Sequence, residues 1–276
     1  NEDETLLPAF GDENITVPGY KILREIGQGG MSTVVLARRL EDNKKIVLKV
    51  LFTKGQEDPL ALKRFMQEYT LISCLTNKHI INIYERAFAA DFAYIAMEYF
   101  PNGDLSQRIK NSGISPEKAS EYLRQMAVGL QAVHEINVVH RDLKPGNILF
   151  RDDDSLTITD FGAAKNISSE FEDITVNNMV VGTPYYMSPE QASGMKVDKR
   201  SDMYSLGVMF YQMLNGRRPF TANSISQLIY AHINEEAPPL PEHLKKFQPL
   251  VNGLMAKDPS ERFQNANDII TGLDWL

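Results

Sequence analysis

Cysteine is almost missing. The 276 residues hold one, Cys74, so no disulfide can form within the chain. A lone cysteine fits a reducing compartment, and Cys74 is expected to be a small buried hydrophobe rather than a reactive thiol. Long apolar runs are missing too, and with them any segment able to span a bilayer. There is no excess of positive charge: the formal balance is −7, which argues against nucleic acid or an anionic membrane as the main partner. Any binding of phosphate must then come from a local arrangement of groups. Internal repeats and low-complexity tracts are absent, which excludes solenoids and disordered arrays. The acidic start, Asn1-Glu2-Asp3-Glu4, has neither the basic nor the apolar part of a signal peptide. The sequence reads as an excised domain, and a membrane segment past Leu276 would lie outside it.

What is present is an ordinary soluble composition, 43% hydrophobic and 24% charged. Residues 1–18 are polar and broken by Pro8, Gly11 and Pro18, and read as a tail or an added strand. Then come short β-like runs, Tyr20-Lys21-Ile22-Leu23, Thr33-Val34-Val35-Leu36-Ala37 and Lys45-Ile46-Val47-Leu48-Lys49-Val50, separated by turn signals. Leu62, Phe65, Met66, Tyr69, Ile72 and Leu75 recur at helical spacing, predicting a helix over 59–75. Two more β-like runs are expected around 80–84 and 92–97, and Pro101-Asn102-Gly103-Asp104 marks a break. Beyond it the chain turns helical. Ser115-Pro116 signals a helix start. Residues 203–214 are apolar nearly all round, predicting a buried helix that ends at Gly216.

The residues able to do chemistry are ambiguous one by one. Gly27-Gln28-Gly29-Gly30 lies between two strands. It reads as a loop letting backbone approach phosphates, or as a plain glycine hairpin. Its strand-to-strand setting argues against dinucleotide and Walker-type loops, which need a helix next. Lys49 is either an outward strand residue or the ion-pair partner of Glu68 in the predicted helix, held as a fixed charge for phosphate oxygens. Asp142, Lys144 and Asn147 share a short Pro/Gly loop, suited to proton acceptance, charge neutralisation and metal binding; the alternative is a solvated turn. Asp160-Phe161-Gly162 ends an Ile/Thr-rich strand, as a metal ligand or as a turn. His79, His134, His232 and His243 show no metal-ligand spacing with Cys74, so no zinc is assigned.

Order and spacing remove the ambiguity. Glycine loop, strand lysine, helix glutamate, His140-Arg141-Asp142, Asp160-Phe161-Gly162 and Ser188-Pro189-Glu190 together resemble the protein kinase signature set, from about Tyr20 to the end. The resemblance implies an α+β, two-lobed kinase fold: a small antiparallel β lobe with one key helix, and a larger helical lobe. It places the first lobe at 19–97, a hinge at 98–103 and the second lobe at 104–276. It implies ATP with Mg2+, or Mn2+ in its place. By the same resemblance Gly27, Gly29 and Gly30 cover the phosphates, and Lys49 contacts them while paired with Glu68. Asp142 is the catalytic base, Lys144 steadies the γ-phosphate, and Asn147 and Asp160 hold the metal. Met97 is the gatekeeper, Glu98 and Tyr99 lie in the hinge, and Val34, Val47 and Leu149 sandwich the adenine. Glu190 and Arg262 are expected to form a buried ion pair, Asp202 to brace the catalytic loop, and His140 to be packed in the core.

Two departures from the family pattern are mild. Ser32 stands for the third glycine, and Val47 for the usual alanine before the lysine. No charged group is missing, which argues against an inactive pseudokinase. Lys144 and the run Gly182-Thr183-Pro184-Tyr185-Tyr186, with Thr183 near the acceptor site, resemble Ser/Thr kinases. Gly29-Gly30-Met31-Ser32 and Tyr186-Met187-Ser188-Pro189-Glu190-Gln191-Ala192 resemble the bacterial eukaryotic-like type, membrane-anchored receptor or secretion-system kinase alike. A small-molecule phosphotransferase of kinase-like fold usually lacks these motifs. The implied setting is cytoplasmic. The implied partners are protein substrates and a second copy of the chain, for trans-autophosphorylation. Thr175 is the favoured phosphosite over Ser168 and Ser169, with Arg141 and Lys165 receiving the phosphate.

Overall fold

The computed structural model describes residues 16–28, 32–52, 70, 72–88, 91–111, 113–161, 165–166 and 184–276. The chain divides into two compact units. One lies within Asn1–Cys74 and Ile81–Phe100, the other within Leu75–Ile80 and Pro101–Leu276. The expected order, a small antiparallel β unit and then a larger helical one, is the order observed.

The first unit is a five-stranded antiparallel sheet. Its strands are β1 (Tyr20–Gln28), β2 (Ser32–Arg39), β3 (Lys45–Phe52), β4 (Ile83–Phe88) and β5 (Phe92–Glu98), in the order β1-β2-β3-β5-β4. Side chains alternate between faces. Ile22, Val35, Ala37, Ile46, Leu48 and Val50 fall on one face and pack into a buried cluster with Val17, Tyr20, Tyr94 and Ala96. In register, Val34 pairs with Lys49 and Lys49 with Ile95, while Leu36 pairs with Val47 and Val47 with Met97. These six residues therefore share the other face. Glu85 accepts hydrogen bonds from the Tyr20 hydroxyl at 2.6 Å and the Tyr94 hydroxyl at 2.9 Å. Burial and then Glu85 push the Tyr94 hydroxyl up to about 12.

Two expectations shift here. The run foreseen at 80–84 begins later, as Ile83–Phe88, because Ile80 instead bridges Ile158 in the other unit. Cys74 is exposed, not buried. It ends a 3-10 turn, Ile72–Cys74, whose one buried residue is Ile72. Most of the helix foreseen over 59–75 lies outside the described residues, as do residues 1–15 of the tail.

The second unit is built from α1 (Leu105–Asn111), α2 (Pro116–Glu135), α3 (Pro189–Ala192), α4 (Lys199–Asn215), α5 (Ile225–Asn234), α6 (Gln248–Met255) and α7 (Ala266–Asp274). Ser115 caps α2 by accepting the Lys118 N–H, with Pro116 at the first turn, as foreseen. One face of α2, including Leu123, Met126 and Leu130, is fully buried. α4 is buried nearly all round and stops at Gly216, whose φ of 70° is left-handed backbone that favours glycine. Gly207 lets α4 meet α6 closely: a Cβ there would lie 2.6 Å from Met255 and 2.7 Å from Leu254. Short strands complete the unit. β6 (Val138–Val139) pairs with β9 (Lys165–Asn166), and β7 (Ile148–Phe150) with β8 (Leu156–Ile158). Among the described residues no helix is long and apolar enough to cross a membrane.

Candidate active site

The loop at 140–147 is strung between β6 and β7, so both of its ends are pinned by strand pairing. Its interior is fixed by buried polar groups. The Asp202 carboxylate, on α4, accepts the N–H of Arg141 through Oδ1 and the N–H of His140 through Oδ2, each at 3.0 Å. His134 Nε2, from α2, donates to the same Oδ2 at 2.7 Å. Burial would raise the Asp202 carboxyl, but the hydrogen bond and charge of His134 and the nearby His140 outweigh it and hold it below the ordinary range. From the far side, Gln191 Nε2 on α3 donates to the Arg141 carbonyl at 2.7 Å. Asp202 thus braces the loop backbone as expected.

His140 is fully buried and packs its ring on Phe161, with centroids 4.7 Å apart. Its Nδ1 accepts the Asp142 N–H at 3.3 Å and its Nε2 donates to the Thr159 carbonyl at 3.0 Å, which assigns the tautomer. Both nitrogens are engaged in structure, in keeping with a core residue. The result is a rigid loop presenting a reachable acid. The Asp142 side chain is 45% exposed, and its Oδ2 lies 2.6 Å from Lys144 Nζ. Asn147 is buried and donates Nδ2 to the Asp142 carbonyl at 2.8 Å, which leaves its Oδ1 as an oxygen acceptor. The Thr159 N–H donates to the Asn147 carbonyl at 2.9 Å, so Asp160 follows directly on the strand bound to this loop.

A second buried carboxylate secures the segment that follows. Glu190 on α3 meets the Arg262 guanidinium through both oxygens, at 2.7 and 2.6 Å. Arg262 also donates to the carbonyls of Ala256, Arg200 and Lys257, at 2.7, 3.0 and 3.0 Å, so all five of its N–H groups are used. Burial would raise Glu190, but the guanidinium and the Ser201 hydroxyl hold it below its ordinary value.

A protein kinase domain model matches residues 20–271. The chain belongs to the protein kinase domain family. Among curated proteins, the domain is 38% identical over 91% of its length to the Serine/threonine-protein kinases drp72 of Corynebacterium efficiens, covering 49% of that protein. It is 37% identical over 91% of its length to the Serine/threonine-protein kinases PknA of Corynebacterium glutamicum, covering 54%. With Serine/threonine-protein kinase PrkC of Bacillus subtilis it shares 34% identity over 91% of its length, covering 39%. The chain therefore spans about half, or less, of the length of these relatives.

Membership of the kinase family implies ATP and a divalent metal ion. The second unit's oxygens suit such an ion: Asn147 Oδ1 is oriented by the bond its amide makes, and Asp160 is a carboxylate. In the kinase domain's first unit, Val34, Val47, Lys49 and Met97 lie on the shared sheet face, and Gly27 pairs with Val34 across β1 and β2. The Glu98 carboxylate accepts from Asn82 Nδ2 at 2.7 Å, and Tyr99, half-buried, follows it. Leu149 is half-buried in β7 of the second unit. Gly29, Gly30, Glu68, Ser168, Ser169, Thr175 and Thr183 lie outside the described residues, and Lys165 is described only as a backbone partner of Val139. Two residues that hold the loop escape sequence reasoning: Gln191 and His134. The signal for Gln191 is its place three residues after Ser188 in a capping box, which fixes its side chain near the loop. His134 carries no local signal.

Proposed function

We propose that this domain transfers the γ-phosphoryl group of ATP to Ser and Thr hydroxyls of proteins, including its own activation segment. The observation that carries the reading is the reachable Asp142 carboxylate, 2.6 Å from Lys144 Nζ, on a loop whose backbone is held from two sides. Asp142 accepts the proton of the attacking hydroxyl. A bond forms from that oxygen to Pγ, the bond from Pγ to the bridging oxygen breaks, and ADP leaves. Lys144 offsets charge on the transferred group. In the first unit Lys49, paired with Glu68, takes α- and β-phosphate oxygens under a backbone cover from Gly27, Gly29 and Gly30. Val34, Val47 and Met97 offer the adenine an apolar face, with Leu149 serving likewise in the second unit and Glu98 and Tyr99 in the hinge. Asn147 and Asp160 hold Mg2+, with Mn2+ as the substitute; when bound, the metal neutralises phosphate charge.

The printed names of the three relatives and Lys144 in the loop support Ser/Thr as acceptor. The cytoplasm, where ATP is held, is the natural setting. Thr175, ahead of Ser168 and Ser169, is the proposed autophosphorylation site, with Arg141 and Lys165 as receiving cations and a second copy as the trans partner. The test is incubation with labelled ATP and magnesium beside Asp142→Asn. Transfer to protein should fall by at least about a hundredfold in the variant, the usual scale for losing a positioned base. Equal labelling of both proteins, or of neither, defeats the proposal. Mass spectrometry of the labelled protein then decides among the three phosphosites.

A further inference from the structure

Gly216 ends α4 with a left-handed turn and delivers the chain into Arg217-Arg218-Pro219. The Arg218 guanidinium lies 3.6 Å above the centre of the Tyr185 ring and 5.9 Å from that of Tyr186. Tyr186 is itself held: its carbonyl accepts from the Ser205 hydroxyl at 2.6 Å, and its hydroxyl donates to Gln212 at 2.7 Å. The aromatic contact covers one face of the guanidinium and fixes its plane, leaving the N–H edge to make directional bonds. Part of that edge is turned to the Tyr186 hydroxyl. Arg218 Nε is shielded from solvent and has no hydrogen-bond partner among the described residues. Neither Arg217 nor Arg218 has an ion-pair partner there, in contrast to Arg39, Arg108, Arg124, Arg200 and Arg262. In a chain of net charge −7, two adjacent arginines without a counter-charge stand apart.

Their place gives them a use. Tyr185 follows Thr183 by two residues in the sequence, and Arg218 meets the chain there. Two arginines without a counter-charge among the described residues can offer an incoming anion charge-assisted hydrogen bonds through their outer nitrogens. We propose that Arg218, with Arg217 beside it, selects protein substrates that carry an anionic side chain, carboxylate or phosphate, within a few residues of the acceptor hydroxyl. This rests on the phosphotransfer reading above and adds a substrate class to it.

The test uses the full chain with ATP and magnesium and sets of acceptor peptides. The sets are identical but for one residue, walked from three places before the acceptor to three places after it and set to Glu, phosphoserine, Gln or Lys. Glu and phosphoserine should exceed Gln in kcat/KM at one or two positions by roughly tenfold, the scale of one charge-assisted hydrogen bond. The gain should sit in KM and shrink as salt rises; Lys should fall below Gln. In Arg218→Gln the Glu/Gln ratio should drop towards one, and Arg218→Lys should keep part of it. Circular dichroism checks the variant's fold, and if it fails, the wild-type salt series and Arg217→Gln decide. Equal use of Glu and Gln peptides by the wild type, or an unchanged ratio in the folded variants, overturns the proposal while leaving phosphotransfer intact. Transfer to no peptide and no protein overturns both.

Discussion

Two segments of the second unit are each tied down by a buried carboxylate, and the two ties differ in kind. At the catalytic loop, Asp202 grips backbone N–H groups, so the hold is indifferent to the loop's own side chains. At the turn that follows, Glu190 grips the side chain of Arg262, and the hold exists only if both residues are present. The first tie fixes a conformation. The second fastens α3 to the segment that starts α7, through the three carbonyls Arg262 also holds. Loss of the first should therefore appear chiefly in catalysis and loss of the second chiefly in stability.

The largest expected effect tests the second tie. Arg262→Met strands the Glu190 carboxylate in the interior and should lower unfolding stability by about 3–5 kcal/mol, read from urea midpoints. Adding Glu190→Gln should recover part of that loss. No loss in the single variant would show that the pair is not what fastens α3. Next is Asp202→Asn, which keeps one acceptor and leaves one loop N–H without its partner. Stability should fall by about 1–3 kcal/mol, while phosphotransfer at a temperature where the protein stays folded should fall by about a hundredfold, the scale of a misplaced catalytic group. Activity that merely tracks the folded fraction would collapse the contrast between the two ties.

Acid sharpens the comparison further. Asp202 and Glu190 have folded values below their unfolded ones, so their stabilisation is present above the unfolded carboxylate range and is lost as pH falls through the folded values. His232 acts earlier. Burial, then the Lys257 charge, lowers it to about 4. The unfolded chain therefore takes up a proton first, and stability should drop as pH falls from about 6.5 to about 4, by up to about 3 kcal/mol. His232 accepts the Tyr204 hydroxyl, and that ring lies under the Arg262 guanidinium, so this loss belongs to the second tie. His232→Gln should flatten that limb of the stability–pH curve; an unaltered limb would assign it elsewhere. The smallest effect probes the link between the ties. Gln191→Ala, which frees the Arg141 carbonyl, should cost about 1 kcal/mol. In a double-mutant cycle with Asp202→Asn, additive losses would show that the two bonds on Arg141 act independently.

Much of this was legible in the chain itself. Strands β1 to β3 and β5, the start of α2 and the end of α4 follow from alternation, Ser115-Pro116 and Gly216. The brace from Asp202 and the Glu190–Arg262 pair both followed from the kinase resemblance. Three things were not legible. The start of β4 was misplaced because Ile80 is apolar and β-branched but pairs with Ile158 by a long-range contact that local pattern cannot carry. Cys74 was assigned inward by residue type, whereas a short 3-10 turn buries only one of its three residues. His134 and Gln191 matter through partners 68 and 50 residues away, a separation at which periodicity says nothing.

Arg141 has φ of 70°, and it is the one positive-φ residue other than glycine among those described that is neither Asn nor Asp. A side chain of that length takes this conformation at a cost of about 1 kcal/mol or more. Its N–H is drawn one way by Asp202 and its carbonyl the other way by Gln191. The peptide next to the base is thus a drawn spring with two catches. With Asp142 as the proposed base, loss of either bond should let Arg141 relax towards ordinary backbone and carry Asp142 out of line, lowering phosphotransfer while the domain stays folded.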